Sequence, residues 1–294
     1  MGRIAWITDI HLNFLEPLQV LEFLYDLEAR EFEALLLSGD LAEADSLFKF
    51  LPLIEQNVSR PVYFILGNHD YYHRSISGVD QALRDWCAGH PRLRFLEGRE
   101  VIPLSERTAL VGLTGWADGR YGDYAASDVV LNDYLRIEDF VRAGTAGRTL
   151  LQRLFGFFQV PEGSGPGLGR RKGAVYRLLN HLGDEAAARA RETLARSLAD
   201  FETTLFMTHF PPFAEACFQH DGLPIGDRHL PHFACKAMGE VLLELAGRFP
   251  HRKLLVLCGH THGRARLEIT PNLEIWVGRA EYGAPVLEEV MEID

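Results

Sequence analysis

Five short polar clusters carry the side chains best suited to chemistry: Asp9-Ile10-His11, Gly39-Asp40, Gly67-Asn68-His69-Asp70, Thr208-His209 and Gly259-His260-Thr261-His262. Together they offer imidazole nitrogen, carboxylate oxygen and amide oxygen. Such a mixture suits hard or borderline divalent ions such as Mn, Fe, Zn, Co or Ni better than a thiolate site would. Asp9 and His11, like His260 and His262, are spaced i, i+2, which in extended chain points both side chains of a pair to one side. The glycines before Asp40, Asn68 and His260 permit tight turns and close backbone approach. One carboxylate can bridge two ions, and two ions about 3.5–4 Å apart can share a hydroxide and clamp a phosphoryl group. Each cluster taken alone also reads as an ordinary turn. Five in this order, each closing a strand, do not read as independent turns.

The elements that must position these residues are legible as alternating periods. Apolar runs at Ile4–Ile7, Ala34–Leu37, Pro61–Leu66, Thr204–Met207 and Lys253–Cys258 each precede one cluster and read as strands. Pro17 suits the first turn of a helix, with Val20, Phe23, Leu24 and Leu27 on one face. Asp45 is expected to cap a second helix carrying Leu47, Phe50, Leu51 and Ile54, which Pro52 should kink or shorten. A helix near Asp80–Cys87 and a strand near Leu93–Leu96 complete a βαβαβ order, which predicts a largely parallel sheet with helices packed on it. In such sheets sites gather at the carboxyl ends of strands. After a strand at Ala109–Thr114 the regular pattern dissolves. The tract EGSGPGLGRRKG at 162–173 predicts a mobile loop, and a helix is expected from Asp184 to Ala199. A helix carrying Met238, Val241, Leu242 and Leu245 follows, and strands near 264–269, 273–277 and 285–290 suit antiparallel hairpins. A plain connection between strands needs far fewer residues than 115–200. That segment is therefore expected to be an inserted cap or lid over the site, within a single domain spanning 1–294.

Composition bounds the partners. Apolar residues make up 47% and charged residues 24%, ordinary globular values that exclude a disordered or coiled-coil chain. The formal charge of −11 argues against a protein whose main task is to grip nucleic acid or an anionic membrane. Cys87, Cys217, Cys235 and Cys258 are far apart and form no C-x-x-C pair, so a reducing cytoplasm is the expected setting. No signal peptide and no membrane span are read from the sequence.

The series DIH, GD, GNHD, H and GHTH resembles the calcineurin-like metallophosphoesterase superfamily over a scaffold running from about Ile4 to Arg264. The resemblance implies a four-layer α/β/β/α sandwich of two mixed sheets with a dinuclear metal centre at the strand ends. Carried over by motif, Asp9, His11 and His262 would hold one divalent ion and Asn68, His209 and His260 the other, with Asp40 bridging. Manganese or iron is favoured among the candidate ions. His69 would act as general acid or transition-state stabiliser, with Asp70 orienting it. A hydroxide bridging the ions would cleave a small phosphodiester or phosphomonoester. Gly39-Asp40 continues as Leu41-Ala42-Glu43-Ala44-Asp45 rather than the GDxVDRG of Ser/Thr protein phosphatases. Lipid-A-pathway pyrophosphatases carry Arg where His69 stands. The alternatives are a catalytically silent scaffold or binding module of this fold, which the intact Asn68-His69 pair opposes, and a DNA-processing nuclease, which the acidic balance opposes. Among the remaining polar residues, His73, His220, His229 and His232 are expected at the surface, as are Arg170, Arg171 and Lys172. Trp116, Tyr121 and Tyr124 suit either a pocket wall or the packing of a loop. Oligomeric state is not read from the sequence.

Overall fold

Runs of consecutive apolar residues make strands that can be buried on both faces, and the strands that lead into the polar clusters are of this kind. In a computed structural model describing residues 2–145 and 166–294, the strands in chain order are β1 (Gly2–Ile7), β2 (Ala34–Ser38), β3 (Val62–Ile65), β4 (Leu93–Phe95), β5 (Ile102–Pro103), β6 (Thr108–Gly112), β7 (Thr203–Met207), β8 (Lys253–Cys258), β9 (Ala265–Thr270), β10 (Leu273–Val277) and β11 (Glu289–Ile293). The helices are α1 (Pro17–Glu28), α2 (Ala44–Asn57), α3 (Ile76–Cys87), α4 (Asp133–Arg136), α5 (Glu138–Thr145), α6 (Pro166–Asp200) and α7 (Lys236–Arg248). One sheet has the order β11-β1-β2-β3-β4 and the other β5-β6-β7-β8-β10-β9. Strands β1 to β4 run parallel, as do β6, β7, β8 and β10, while β11, β5 and β9 are antiparallel at the edges.

Period-two alternation assigns each strand residue to one of three cores. Ile4, Trp6, Ala34 and Leu36 of the first sheet meet Leu110, Leu205, Met207 and Leu257 of the second, forming the layer between the sheets. Ala5, Ile7, Leu35 and Leu37 point the other way, against Val20, Leu24, Leu47, Leu51, Ile54 and Leu83 of α1 to α3. On the far side Val111, Phe206, Leu254 and Val256 pack against Leu194 and Leu198 of α6 and Met238, Val241 and Leu242 of α7. The result is the expected four-layer α/β/β/α arrangement. Among the described residues no helix is long and apolar enough to cross a membrane.

Several local expectations are corrected. Pro52 does not stop α2, which runs unbroken through it. Buried Leu47 and Leu51 before it and Ile54 after it pack on the sheet and outweigh the lost hydrogen bond. The cap of α2 is Glu43 in a reciprocal box with Ser46, while Asp45 lies in the first turn. Strand β11 does not form a hairpin with β10; it crosses to the first sheet and pairs with β1. Of the tract 162–173, residues 162–165 lie outside the described residues, and 166–173 are helical rather than loop because α6 begins at Pro166. Proline suits a first helical turn, and elongation of a helix already nucleated costs little per residue. The C-terminal half of α6 buries Ala186, Ala190, Leu194 and Leu198 and is therefore the crossover helix of the second sheet.

Leu194 is fully buried in that helix. Leu194→Ala is expected to lower the unfolding free energy by about 2–5 kcal/mol. Urea denaturation followed by circular dichroism checks this, and a change under about 1 kcal/mol would mean α6 is not part of the scaffold core.

Candidate metal centre

The five clusters converge because their strands are parallel and end on one rim. Asp9 follows β1, Asp40 follows β2, Asn68 follows β3, His209 follows β7 and His260 follows β8. Within the first sheet the Asp9 N–H donates to the Gly39 carbonyl and the His11 N–H to the Asp40 carbonyl, each at 3.0 Å. Two contacts stitch the sheets together at this rim: the His260 N–H donates to Asp9 Oδ1 at 3.0 Å, and His209 Nδ1 lies 2.9 Å from the Ser38 carbonyl. The extended geometry expected for the i, i+2 pairs is not what aims them. Asp9, His11, Asp40, His260 and His262 all have positive φ, between 40° and 68°. Left-handed backbone costs a non-glycine residue on the order of 1–3 kcal/mol and clusters at functional sites. Gly67 has no such φ but must lack a side chain, because a Cβ there would collide with Asp40 Oδ1 and sit 2.6 Å from His209 Nε2.

Four of the donors form one cluster, and the other three lie beside it in pairwise contacts. Asp9, His11, Asp40 and His262 bring one ligand atom each to within 4.8 Å of one another. His11 Nε2 lies 3.3 Å from His262 Nε2 and 3.7 Å from Asp40 Oδ2, and His262 Nε2 lies 3.5 Å from Asp9 Oδ1. Asp40 Oδ2 is also 3.4 Å from His209 Nε2, and Asn68 Oδ1 is 2.9 Å from His260 Nδ1. The Ser38 carbonyl can only accept, so His209 carries its hydrogen on Nδ1 and its buried Nε2, which has no hydrogen-bond partner, is left to meet a cation.

The electrostatics call for positive charge. Burial alone would raise the carboxyls of Asp9 and Asp40, yet both are held below their ordinary value, Asp9 chiefly by His209 and His262 and Asp40 by His209 and His69. His209 is itself pushed up to about 10 against its burial, by Asp40 and then Asp9. Burial lowers His11 to about 4 and His260 to about 3, leaving neutral rings with a free lone pair. Two ionised carboxylates, two imidazoles kept neutral by burial, two that draw positive charge, and one amide oxygen fit divalent ions well.

A calcineurin-like phosphoesterase model matches residues 2–264. The chain belongs to the calcineurin-like phosphoesterase family. That makes it a metal-dependent phosphoester hydrolase by class. Its fold is similar to that of phosphopantetheinyl hydrolase from Mycobacterium tuberculosis, with TM-score 0.53 at 17% identity over 94% of this chain and 89% of the other. It is also similar to a dimetal phosphatase from Danio rerio, with TM-score 0.52 at 13% identity over 94% and 86%. At such identities the likeness is one of fold alone. Nothing among curated proteins matches the chain.

In this phosphoesterase the donors open onto a cleft of about 260 Å³ lined by Asn68, His69, Tyr72, Leu131, Phe233 and Tyr282, among others. Larger hollows of about 430 and 810 Å³ lie elsewhere and contain none of the converging donors. The His69 ring stacks on Tyr72 with centroids 4.5 Å apart and its Nε2 faces Asp40 Oδ2 at 3.9 Å, while the backbone N–H of His69 donates to Asp40 Oδ1 at 2.9 Å. The hydrogen bonds of Asp70 run to backbone rather than to the His69 ring. Its carboxylate accepts the N–H groups of Gly67 and Ala42 at 2.8 Å and of Leu41 at 3.2 Å, pinning the second and third clusters together. Burial, then Asp40, pushes its carboxyl up to about 7.

Three residues near the site escape sequence reasoning. Asp133 is buried and accepts from Asn68 Nδ2 and the Tyr72 hydroxyl, both at 2.8 Å. Tyr282 sits 4.6 Å from the His11 ring at the cleft mouth. His232, expected at the surface, is 2% exposed, with Nδ1 on the Tyr134 hydroxyl at 2.5 Å and Nε2 on Ser127 Oγ at 2.9 Å. None belongs to a strand-end cluster, so no local pattern marks them. His73 remains at the surface beside Glu43 as expected. Trp116 packs against Tyr71, Phe140 and Phe210 and lines no part of this cleft. Lys172 is bonded to the carbonyls of Ala125 and Ser127.

Gly67→Ala is expected to keep the circular dichroism spectrum of the native chain while abolishing tight metal binding, because the new methyl displaces Asp40. Elemental analysis of the purified variant checks this, and full metal content would refute the close approach.

Proposed function

We propose that the chain is a dinuclear metal-dependent phosphohydrolase acting on a small phosphodiester or phosphomonoester. The observation that supports the reading is the position of Asp40, whose Oδ2 lies 3.7 Å from His11 Nε2 and 3.4 Å from His209 Nε2, within reach of a ligand from each sheet. Asp9, His11 and His262 would hold one ion, Asn68, His209 and His260 the other, and Asp40 would bridge. Manganese or iron suits this nitrogen and oxygen set, with zinc, cobalt or nickel also compatible. When bound, two such ions supply a hydroxide near neutral pH and neutralise phosphoryl oxygens.

The remaining work belongs to the side chains. His69, stacked on Tyr72 and open to the cleft, is placed to give a proton to the departing alkoxide. Asp70 acts at one remove, by fixing the backbone from which Asp40 and His69 project. Phe233 and Tyr282 supply apolar walls that exclude water from one side of the scissile bond. No Lys or Arg lines the cleft among the described residues, which favours a small substrate over a nucleic acid strand. Within the segment 115–200, whose C-terminal part is the crossover helix, we read the earlier part as a cap that contributes to substrate choice through Leu131, Asn132 and Asp133, which line the cleft among the described residues. Four cysteines remain free thiols, three of them buried, which supports a cytoplasmic setting.

Asp40→Asn is expected to lower the content of both ions, as measured by elemental analysis; full content with normal turnover would remove the bridge. His69→Ala is expected to retain metal and lose about 10²–10⁴-fold in kcat. That loss should shrink for an aryl ester with a nitrophenol leaving group, which needs little protonation. Equal losses for good and poor leaving groups would assign His69 to phosphate positioning instead.

A further inference from the structure

The two donor groups differ in what holds them. The first is supported from the scaffold: Asp9 accepts from the Thr8 hydroxyl at 2.6 Å and from the His260 N–H, Asp40 accepts from the His69 N–H, and the rings of His11 and His262 lie against Tyr282. Asn68 and His260 of the second are supported from the segment between β6 and α6, directly through Asp133 and, through Tyr134 and Ser127, by way of His232 in the loop after β7. Asn68 has one amide, and its Nδ2 is spent on Asp133 Oδ1, so its Oδ1 must face the centre. His260 has one ring hydrogen, which can go to Asn68 Oδ1 from Nδ1 or to the His232 carbonyl from Nε2, 3.4 Å away. Only the second choice frees Nδ1 as a ligand. The His232 carbonyl is held in place because the His232 ring is clamped between the hydroxyls of Tyr134 and Ser127.

Asp133 and Tyr134 are consecutive residues of the single turn α4. One side chain aims Asn68, and its neighbour fixes the carbonyl that sets the tautomer of His260. We propose that α4 controls occupancy of the second metal position, with Asp133, Tyr134 and His232 acting as positioning residues, while the first position is complete without them. The inference rests on the dinuclear reading above. It carries a consequence for substrate choice. Leu131 and Asn132, immediately before α4, line the cleft, so the element that meets the substrate also sets the second ion. Any movement of this turn changes both together.

The test is a calorimetric titration of the metal-free full chain with Mn²⁺ alone, with His262→Ala and His209→Ala marking which binding step belongs to which position. Electron paramagnetic resonance of the Mn²⁺-loaded protein separates a coupled pair from a single ion. Asp133→Ala is expected to weaken the second ion by about 10–100-fold and leave the first within about two-fold. The coupled signal should give way to that of one isolated ion. Asp133→Asn keeps an oxygen acceptor for Asn68 and Tyr72 and is expected to restore the second ion to within a few-fold. Two ions bound by Asp133→Ala with unaltered affinities, or equal weakening of both, would overturn the proposal and leave the dinuclear reading standing. A parent chain that binds a single ion would instead overturn the dinuclear reading. Should Asp133→Ala fail to fold, Tyr134→Phe removes one hydroxyl and carries the same test, and unchanged second-ion affinity there also overturns the proposal.

Discussion

Two ionised carboxylates, Asp9 and Asp40, are buried at the seam where the two sheets meet, and the rest of the structure is organised around that constraint. Like charges about 4 Å apart repel by on the order of 4 kcal/mol at an effective dielectric near 20, before any desolvation is counted. Such a pair survives only with cationic company. The chain supplies four imidazoles at the seam, and in the metal-free state one of them, His209, takes up the role by holding its proton. Divalent ions do the same more completely. His209 and His260 come from one sheet while Asp9 and Asp40 come from the other, so ions held by both would add to the hydrogen bonds that already join the two rims.

The backbone bears the cost of bringing the donors so close. Left-handed conformations at Asp9, His11, Asp40, His260 and His262 are tolerated by Asp better than by a bulky residue, and each shortens the path from strand end to centre. Gly67 removes the Cβ that would otherwise fill the space between Asp40 and His209. Asp70 adds a third device. Buried and tied to three backbone N–H groups, it locks the loops after β2 and β3 in register. Its raised pKa follows from sitting beside Asp40 without a cation of its own. Packing in the cores of the two sheets must hold this strain, which is why the strands leading in are apolar on both faces.

This logic separates what could be read in the sequence from what could not. Strand ends followed by Asp, Asn or His are local signals, so the ligand candidates and the layered fold were legible from spacing and apolar runs. The means of convergence was not, since an i, i+2 spacing says nothing about whether the chain is extended or left-handed. The backbone partners of Asp70 were not legible, because adjacency to His69 in sequence is a poor guide where a short 3-10 turn points successive side chains in different directions. The glycine-rich start of α6 looked like loop because local propensity was weighed without the helix that continues from it. Asp133 and His232 carry no motif. Their importance comes from long-range contacts, to Asn68 65 residues earlier and to Tyr134 98 residues earlier.

The division between scaffold and added segment also suggests how such a centre can change substrate without losing its chemistry. The first donor group and the bridge rest on strand ends and on each other, so they tolerate little alteration. Asn68 and His260 sit on equally rigid strands, yet each has an orientation that the strand alone does not fix. An amide must be told which end faces inward, and an imidazole which nitrogen bears the hydrogen. On the proposal above, Asp133 makes the first choice and the His232 carbonyl, held through Tyr134, the second; Asp133 and Tyr134 belong to the stretch that walls the cleft at Leu131 and Asn132. A segment that varies to fit a new leaving group must therefore keep an acceptor for the Asn68 amide and a hold on the His232 carbonyl. On the proposed reading, substrate choice and assembly of the second position would be constrained together, because a single turn of helix meets both.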